Sequence, residues 1–289
     1  MYYRKTVGYR LFACVNGILM TCIMATVLVP FLHLLSVSFS ESSAIVGGKV
    51  GLLPVGWSLS SYTRLFHHPS LLGGFRNAAV QTAVGTFLSL FMLTICAYPL
   101  SKPIKGRKVF IWLIMITMFF SGGLIPTYML VKSLHLIDTL WAIVLPFCIM
   151  PYYLMIMISF FQSFPDSLEE SARMDGLNPI QILFRIVLPL SKAVLAAMSL
   201  FLAVYYWNNW FNSMIYLNST DKYPIMLLVR NIVAGADVAG GPMGTGTDSM
   251  SAASLKASVI MITTLPIACM IPFVQKHFAK GVMLGAIKG

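Results

Sequence analysis

Apolar runs without Asp, Glu, Lys or Arg recur along the chain at 11–37, 77–100, 109–131, 140–161 and 194–217. A last run at 258–274 extends back over 252–257 if Lys256 snorkels its ammonium toward a polar surface. About 20 apolar residues span a bilayer core as helix. The pattern therefore predicts six transmembrane helices near 11–37, 77–100, 109–131, 140–161, 194–217 and 252–274. They form one all-α membrane domain over 1–289, with outer loops at 38–76 and 218–251 and a polar loop at 162–192. The first run is longer than the apolar part of a signal peptide and no small-residue cleavage site follows, so it is read as an uncleaved helix.

Composition sharpens this picture. The chain is 58% hydrophobic and 10% charged, with a mean hydropathy of +0.81, whereas soluble domains carry about 25% charged residues. Thirteen of the 20 Lys and Arg fall at the N-terminus, the second and fourth connections and the C-terminus; the other seven are spread over the longer loops. By the positive-inside rule both termini and 162–192 face the cytoplasm, and this bias accounts for the net charge of +11 without nucleic-acid binding. Cys14, Cys22, Cys96, Cys148 and Cys269 all lie in apolar runs without C-x-x-C spacing, so neither a metal nor a redox site is expected.

If this chain takes part in pumping, its energy arrives through a partner, although backbone carbonyls can still bind sodium. The charge-free runs hold His33 as their one near-neutral titrating group, near the outer end of the first helix, where an interfacial role fits better than a proton relay. Ion-coupled carriers place ionisable groups at membrane depth. The P-loop pattern is also absent, and Gly47-Gly48-Lys49 is only a fragment in an outer loop. No cofactor is expected on this chain.

The loop at 162–192 reads as a capped helix followed by a tight turn. Asp166 or Ser167 can start the helix, paired with Glu169 or Glu170 in a capping box. Glu169 and Arg173 stand four apart, in the favourable order for an ion pair. Gly176 is placed to end the helix in the left-handed conformation, and Asn178-Pro179 blocks its continuation. A second helix then runs from Ile180 to about Leu188, and Pro189 marks the return to the membrane. Physically this is either an interfacial helix or a stiff element able to dock in a cleft.

The spacing here matches a known pattern: Glu-Ala-Ala, three residues, Gly, nine residues, Ile-x-Leu-Pro. It runs Glu170-Ser171-Ala172, Gly176, Ile186, Leu188 and Pro189, with Ser171 as the departure. Further likeness lies in Phe120–Tyr128, in Trp207-Asn208-Asn209-Trp210 and in the tail Lys280–Gly289. On these motifs the chain resembles the permease subunits of ABC carbohydrate importers, the group that includes the maltose permease inner subunits. Within that group it is most similar to permeases for complex or oligomeric sugars. Ala193 departs from the proline many relatives carry there, which bears on the angle at which the fifth helix begins.

The resemblance implies a type I ABC importer permease fold with a cytoplasmic coupling helix, in a bacterial inner membrane. It implies a second permease, related but different, two ATPase subunits that hold ATP and Mg, and an extracytoplasmic sugar-binding protein. Glu169, Glu170, Ala172, Asp175 and Gly176 would then form the ATPase-coupling site, with the tail near the same interface.

Sugars are held by aromatic faces and by hydrogen bonds to hydroxyls. Tyr205, Tyr206, Trp207, Asn208, Asn209, Trp210 and Asn212 supply both in one stretch. Amides in hydrocarbon need partners, so these Asn face a cavity or another helix, with Asn208 and Asn212 on one helical face. Tyr152, Tyr153, Tyr206, Asn208, Asn209 and Asn212 are the substrate-pathway candidates, with Asn77 and Gln81 secondary. Pro146 and Pro151 break the fourth run, and Ser121-Gly122-Gly123 with Pro126 interrupts the third, for close packing or as a hinge. The glycine-rich 235–246 is expected to be poorly ordered or to reach into the binding protein. The function expected is oligosaccharide uptake by alternating access, with a permease for a peptide or polyamine as the alternative. A channel or membrane enzyme lacks a supporting residue cluster.

Overall fold

A computed structural model describes residues 7–67, 69–234 and 252–286, and these are helical apart from turns and one isolated bridge between Ser40 and Trp57. Helices long and apolar enough to cross a membrane are Val7–Ser38, Ser70–Ser101 and Ala252–Met270. Three bent pairs qualify when each is taken as one span, giving up to six. The glycine-rich stretch at 235–246 lies outside the described residues, as do the side chains of the tail from Lys280.

The chain divides into two compact units: Met1–Pro69 with Ile232–Thr264, and Ser70–Asn231 with Leu265–Gly289. In the first, α1 (Val7–Ser38) leaves its apolar length exposed and buries only Ser36, Val37 and Ser38 at its end. There α2 (Ser42–Val46) and α3 (Ser60–His67) occupy what the apolar pattern leaves as loop. Hydroxyls hold this end together. Tyr62 donates to Ser38 Oγ at 2.7 Å, and Ser258 Oγ donates to the Ser38 carbonyl at 3.3 Å. His33 Nδ1 lies 2.9 Å from the Gly51 carbonyl, which ties the end of α1 to the following loop.

The second unit is built along α4 (Pro69–Ser101). Its buried positions, Leu71, Gly74, Ala78, Gln81, Gly85, Ser89, Leu93 and Ala97, recur at three- and four-residue steps and give one continuous packing face. Gly85 stands on that face because a neighbour lies against it: a Cβ there would sit 2.7 Å from the Tyr206 ring. Tyr206, on α12 (Lys192–Trp207), is fully buried. Its hydroxyl shares a 2.8 Å hydrogen bond with Ser89, and Gln81 Nε2 donates to its carbonyl at 2.9 Å. Close approach at a small residue, closed by side-chain hydrogen bonds, is how helices pack where burial from water supplies little drive.

Between α4 and α12 the apolar runs are broken. α5 (Arg107–Phe119) and α6 (Leu124–Ser133) meet at 112° across Phe120–Gly123, with Gly123 at φ +90° and nothing packed against Gly122. Within this chain the small residues there make a corner, not a packing face. α7 (Leu140–Val144), extended by a 3₁₀ turn through Pro146, meets α8 (Pro151–Gln162) at 49°.

The polar loop follows as α9 (Asp166–Met174). Its N-cap is Pro165, without a side-chain cap, so neither expected capping box forms; Asp166 and Glu169 serve the first turn by charge instead. At its other end Leu177 N donates to the Ala172 carbonyl and Gly176 N to that of Arg173, both at 3.0 Å, with Gly176 at φ +82°. That pairing is a Schellman motif. A reciprocal capping box between Asn178 and Gln181, at 2.9 and 3.0 Å, then starts α10 (Pro179–Ile182). The helix continues through a π turn at Leu183–Val187 into α11 (Leu188–Leu190), and bends 82° at Ser191 into α12. The bend forms without a proline at 193.

The expected single helix over 194–217 is likewise two. α12 ends at Trp207, and Asn209 caps α13 (Trp210–Tyr216), so Asn208 and Asn212 do not share a helical face. The outer loop at 218–251 holds an apolar helix, α14 (Ile225–Ala234), whose Leu228 and Ile225 lie where a Gly74 side chain would be. α15 (Ala252–Ala286) ends the described chain.

One core cluster ties the polar loop to the bundle: Leu93 and Ala97 of α4, Met157 and Phe161 of α8, Ala172 of α9, Ile182 and Val187 beyond it, and Leu202 of α12. Beside it Lys102 Nζ meets Glu169 Oε1 at 2.5 Å, both side chains largely buried. The expected Glu169–Arg173 pair is looser, at 3.8 Å, with Arg173 mostly in solvent.

Two outcomes check this packing. Gly85→Val should destabilise detergent-purified protein by about 1–3 kcal/mol through overpacking against Tyr206, read as a lower thermal midpoint. Glu169→Ala should cost about 3–5 kcal/mol by stranding the Lys102 charge, and the double replacement Lys102→Met, Glu169→Leu should recover most of it.

Candidate functional site

The first candidate site is the tip formed by α9 and its turn. Helical periodicity turns Glu169 and Ala172 inward, to 6% and 3% exposure, and leaves Glu170, Asp175 and Gly176 outward. Of the five coupling candidates, three are thus exposed and two are buried against the bundle. Met174 at 89% exposure, Ile180 and Phe184 are exposed apolar residues of the same loop, which sequence reasoning did not single out. A capped helix with charged and apolar residues outward can seat in a complementary cleft. It can pass on a push because its other face is built into the core.

The second is a cavity of about 830 Å³ at the break between α12 and α13. Its wall includes Tyr153, Phe201, Tyr205, Phe211 and the amides of Asn208, Asn209 and Asn212. Tyr153 and Phe201 stack nearly parallel, centroids 6.3 Å apart, which gives the wall a flat aromatic face. Two of the amides are committed locally: Asn208 Nδ2 donates to the Val204 carbonyl at 2.9 Å, and Asn212 Nδ2 reaches Tyr205 Oη at 3.4 Å.

Asn209 differs. Its Oδ1 accepts from Asn212 N at 3.3 Å to cap α13, which fixes which amide atom is oxygen. Its Nδ2 is buried and has no partner. A buried donor without an acceptor costs about 1–3 kcal/mol, and this one lies beneath the cavity wall to which Asn209 belongs. Pockets of 300–1,000 Å³ with aromatic walls and a few polar groups are typical of small-ligand sites.

The structure thus gathers Tyr153, Asn208, Asn209 and Asn212. It places Tyr206 against α4 and leaves Tyr152 58% exposed on the outside of α8, edge-on to Tyr153. Tyr205 enters where Tyr206 does not because consecutive residues on a helix point about 100° apart. The secondary candidates are engaged elsewhere: Asn77 Nδ2 donates to the Asp221 and Tyr223 carbonyls, and Gln81 Nε2 to Tyr206. Among the described residues no group of three or more His, Cys, Asp or Glu could hold a metal ion.

A clasp closes the α6–α7 connection onto the segment after α13. Asp138 Oδ1 accepts from the Asn218 and Ser219 amides at 3.0 Å, and Oδ2 from Ser219 Oγ and Lys222 Nζ at 2.6 Å. The Lys222 ammonium first, and Ser219 after it, hold the Asp138 carboxyl well below the ordinary carboxylate range. A depressed folded-state value contributes stability that is present above the unfolded value near 4 and lost only as pH falls through the folded one. The clasp therefore stays closed at neutral pH.

The chain as a whole is similar to known proteins. The chain is 41% identical over 264 residues to the polygalacturonan/rhamnogalacturonan transport system permease protein YtcP of Bacillus subtilis, covering 90% of this chain and 92% of that one. It is 30% identical to the arabinooligosaccharides transport system permease protein AraQ of the same species, over 91% of each chain. Among solved structures, a chain of a bacterial ABC transporter involved in the import of the acidic polysaccharide alginate superposes with a TM-score of 0.89 and 32% identity, covering 96% of this chain and 99% of that one. Residues 6–284 match the family described as binding-protein-dependent transport system inner membrane component, and the chain belongs to it.

Proposed function

We propose that this chain is one of two permease subunits of an ATP-driven importer for oligosaccharides. The observation that carries the reading is the tip: a helix closed at one end by a Schellman turn, with Ala172 in the core, Glu169 ion-paired to Lys102, and Glu170, Met174 and Gly176 outward. Such an element moves only with the bundle. ATP hydrolysis in this family is the work of separate ATPase subunits, and closure of their dimer on the tip would rock the bundle between inward- and outward-open states. ATP and Mg belong to those subunits, and this chain binds no cofactor. The tip and both termini face the cytoplasm.

A second permease, related but different, completes this reading, and the exposed corner at Phe120–Gly123 offers a place for a partner surface. Non-helical backbone facing lipid leaves polar groups unmet, and this corner is exposed in the single chain, so another protein surface or a watery pathway must cover it. A substrate-binding protein outside the membrane delivers the cargo. The cavity at the α12–α13 break is the place for a sugar ring, with Tyr153 and Phe201 beneath it and the Asn208, Asn209 and Asn212 side chains around it. Galacturonan and alginate, named for two of the similar proteins, are carboxylate-bearing polymers, which favours an acidic oligosaccharide over a neutral one. A peptide or polyamine cargo has no comparable support.

Mass spectrometry of the ligand carried by the co-purified binding protein tests the cargo directly, and a peptide or polyamine there would overturn the oligosaccharide reading. In proteoliposomes holding the whole complex, Gly176→Val should lower uptake per ATP hydrolysed by roughly ten- to a hundred-fold, because a β-branched residue at φ +82° strains the turn by about 1–3 kcal/mol. Gly176→Asn, which tolerates that conformation, should stay near wild type. Glu170→Ala should also uncouple while leaving thermal stability unchanged. Asn209→Ser keeps a capping oxygen for α13 and removes the long amide donor, so uptake should fall roughly two- to tenfold with the fold retained.

A further inference from the structure

A second cavity, of about 480 Å³, lies at the end of α4 remote from the tip. Arg76, Asn77 and Gln81 line it from α4, with Asp138 and Lys222 of the clasp opposite. Arg76 is 26 residues before Lys102, the residue that grips α9, so about 39 Å of helix separates this cavity from the coupling tip. If the tip faces the cytoplasm, the cavity opens toward the side from which cargo arrives.

Its charges are unequally engaged. Lys222 Nζ already donates to the Asp138 carboxylate and to the Asp138 carbonyl at 2.8 Å, leaving one of its three protons. Asp138 spends both oxygens on Lys222 and on the amides and hydroxyl of the next segment. Arg76 is exposed and makes no hydrogen bond or ion pair among the described residues. The lining therefore carries one uncompensated positive charge, on a planar fork that suits two carboxylate oxygens at once. Beside it the Asn77 and Gln81 amides use their nitrogens on backbone carbonyls, so each turns an oxygen without a donor to its surroundings. Those oxygens accept hydrogen bonds and donate none. Hydroxyls satisfy them; a carboxylate does not.

We propose that this cavity is a recognition site for a uronate residue of the cargo, with Arg76 clasping the carboxylate and the Asn77 and Gln81 oxygens accepting from ring hydroxyls. The site rests on the acidic-oligosaccharide reading above and adds a selecting residue to it. Asp138 has a part as well: by occupying Lys222 it leaves the guanidinium as the group that reads charge.

The test uses the whole reconstituted complex with its ATPases and binding protein, and tri-galacturonate as the probe. Arg76→Cys should lower its uptake by about tenfold or more while ATP hydrolysis stimulated by the loaded binding protein persists. Modification of that variant with the aminoethyl methanethiosulfonate reagent restores a positive charge and should recover much of the uptake. The sulfonatoethyl reagent should recover none, with treated wild type as the control for native cysteines. Wild-type uptake by Arg76→Cys, or equal effects of the two reagents, would remove the site and leave the cargo reading intact. Loss of stimulated ATP hydrolysis in step with uptake would place Arg76 in docking of the binding protein and overturn the site. Failure of the wild-type complex to carry the probe, while it carries neutral oligosaccharides, would remove the acidic cargo and the site together.

Discussion

A carboxylate held almost out of solvent has to keep a cation beside it, and the pairing of Glu169 with Lys102 imposes that condition on the molecule. Glu169 belongs to α9, and Lys102 follows directly on α4. The pair therefore fixes how α9 is rotated about its own axis and sets it against the end of the longest helix in its unit. Ala172, one turn further along, completes the attachment by burying in the cluster shared by α4, α8 and α12. With those two positions turned in, helical geometry leaves no choice about which residues face outward.

The same helix, α4, orders the rest of its unit by a different means. Its packing face admits Tyr206 at a glycine and binds it with Gln81 and Ser89, so α12 is positioned by shape and by hydrogen bonds together. Helix breaks are placed beside this axis and satisfied locally. The one after Trp207 uses Asn209 as a cap, and the cap determines which way the amide nitrogen points. A local need of the backbone thereby leaves an unpaired donor beneath the cavity wall.

What could be read from the chain was what local chemistry decides. Gly176 in the left-handed conformation and the stop at Asn178-Pro179 follow from backbone sterics alone, and both are found. The cap of α9 went astray because Pro165 took the N-cap, leaving Ser167 inside the first turn. The reciprocal box formed instead at Asn178 and Gln181. The Lys102 partner of Glu169 was not legible, since nothing in the spacing around either residue names a partner so distant in sequence. Choosing Tyr205 over Tyr206 for the cavity needed the rotation of α12, which the apolar pattern of a helix buried on several sides does not encode. α14 was hidden by its length: ten residues are too few to register as a span, although Ile225-Met226-Leu227-Leu228-Val229 is an apolar run. Arg76 went unmarked because an isolated arginine near a helix start is ordinary until its neighbours are known.

The π turn at Leu183–Val187 bears on which changes of length the chain tolerates. A π turn holds one more residue than the α turn it replaces. The wider turn absorbs that extra residue, so removing a single residue there lets the helix rewind as α with Ser191, the bend and α12 still aimed at their present neighbours. A deletion elsewhere between Gly176 and Pro189 finds no such slack and turns everything beyond it by about 100°. Loss of one residue is therefore expected to pass within Leu183–Val187 and to be purged in the rest of that segment.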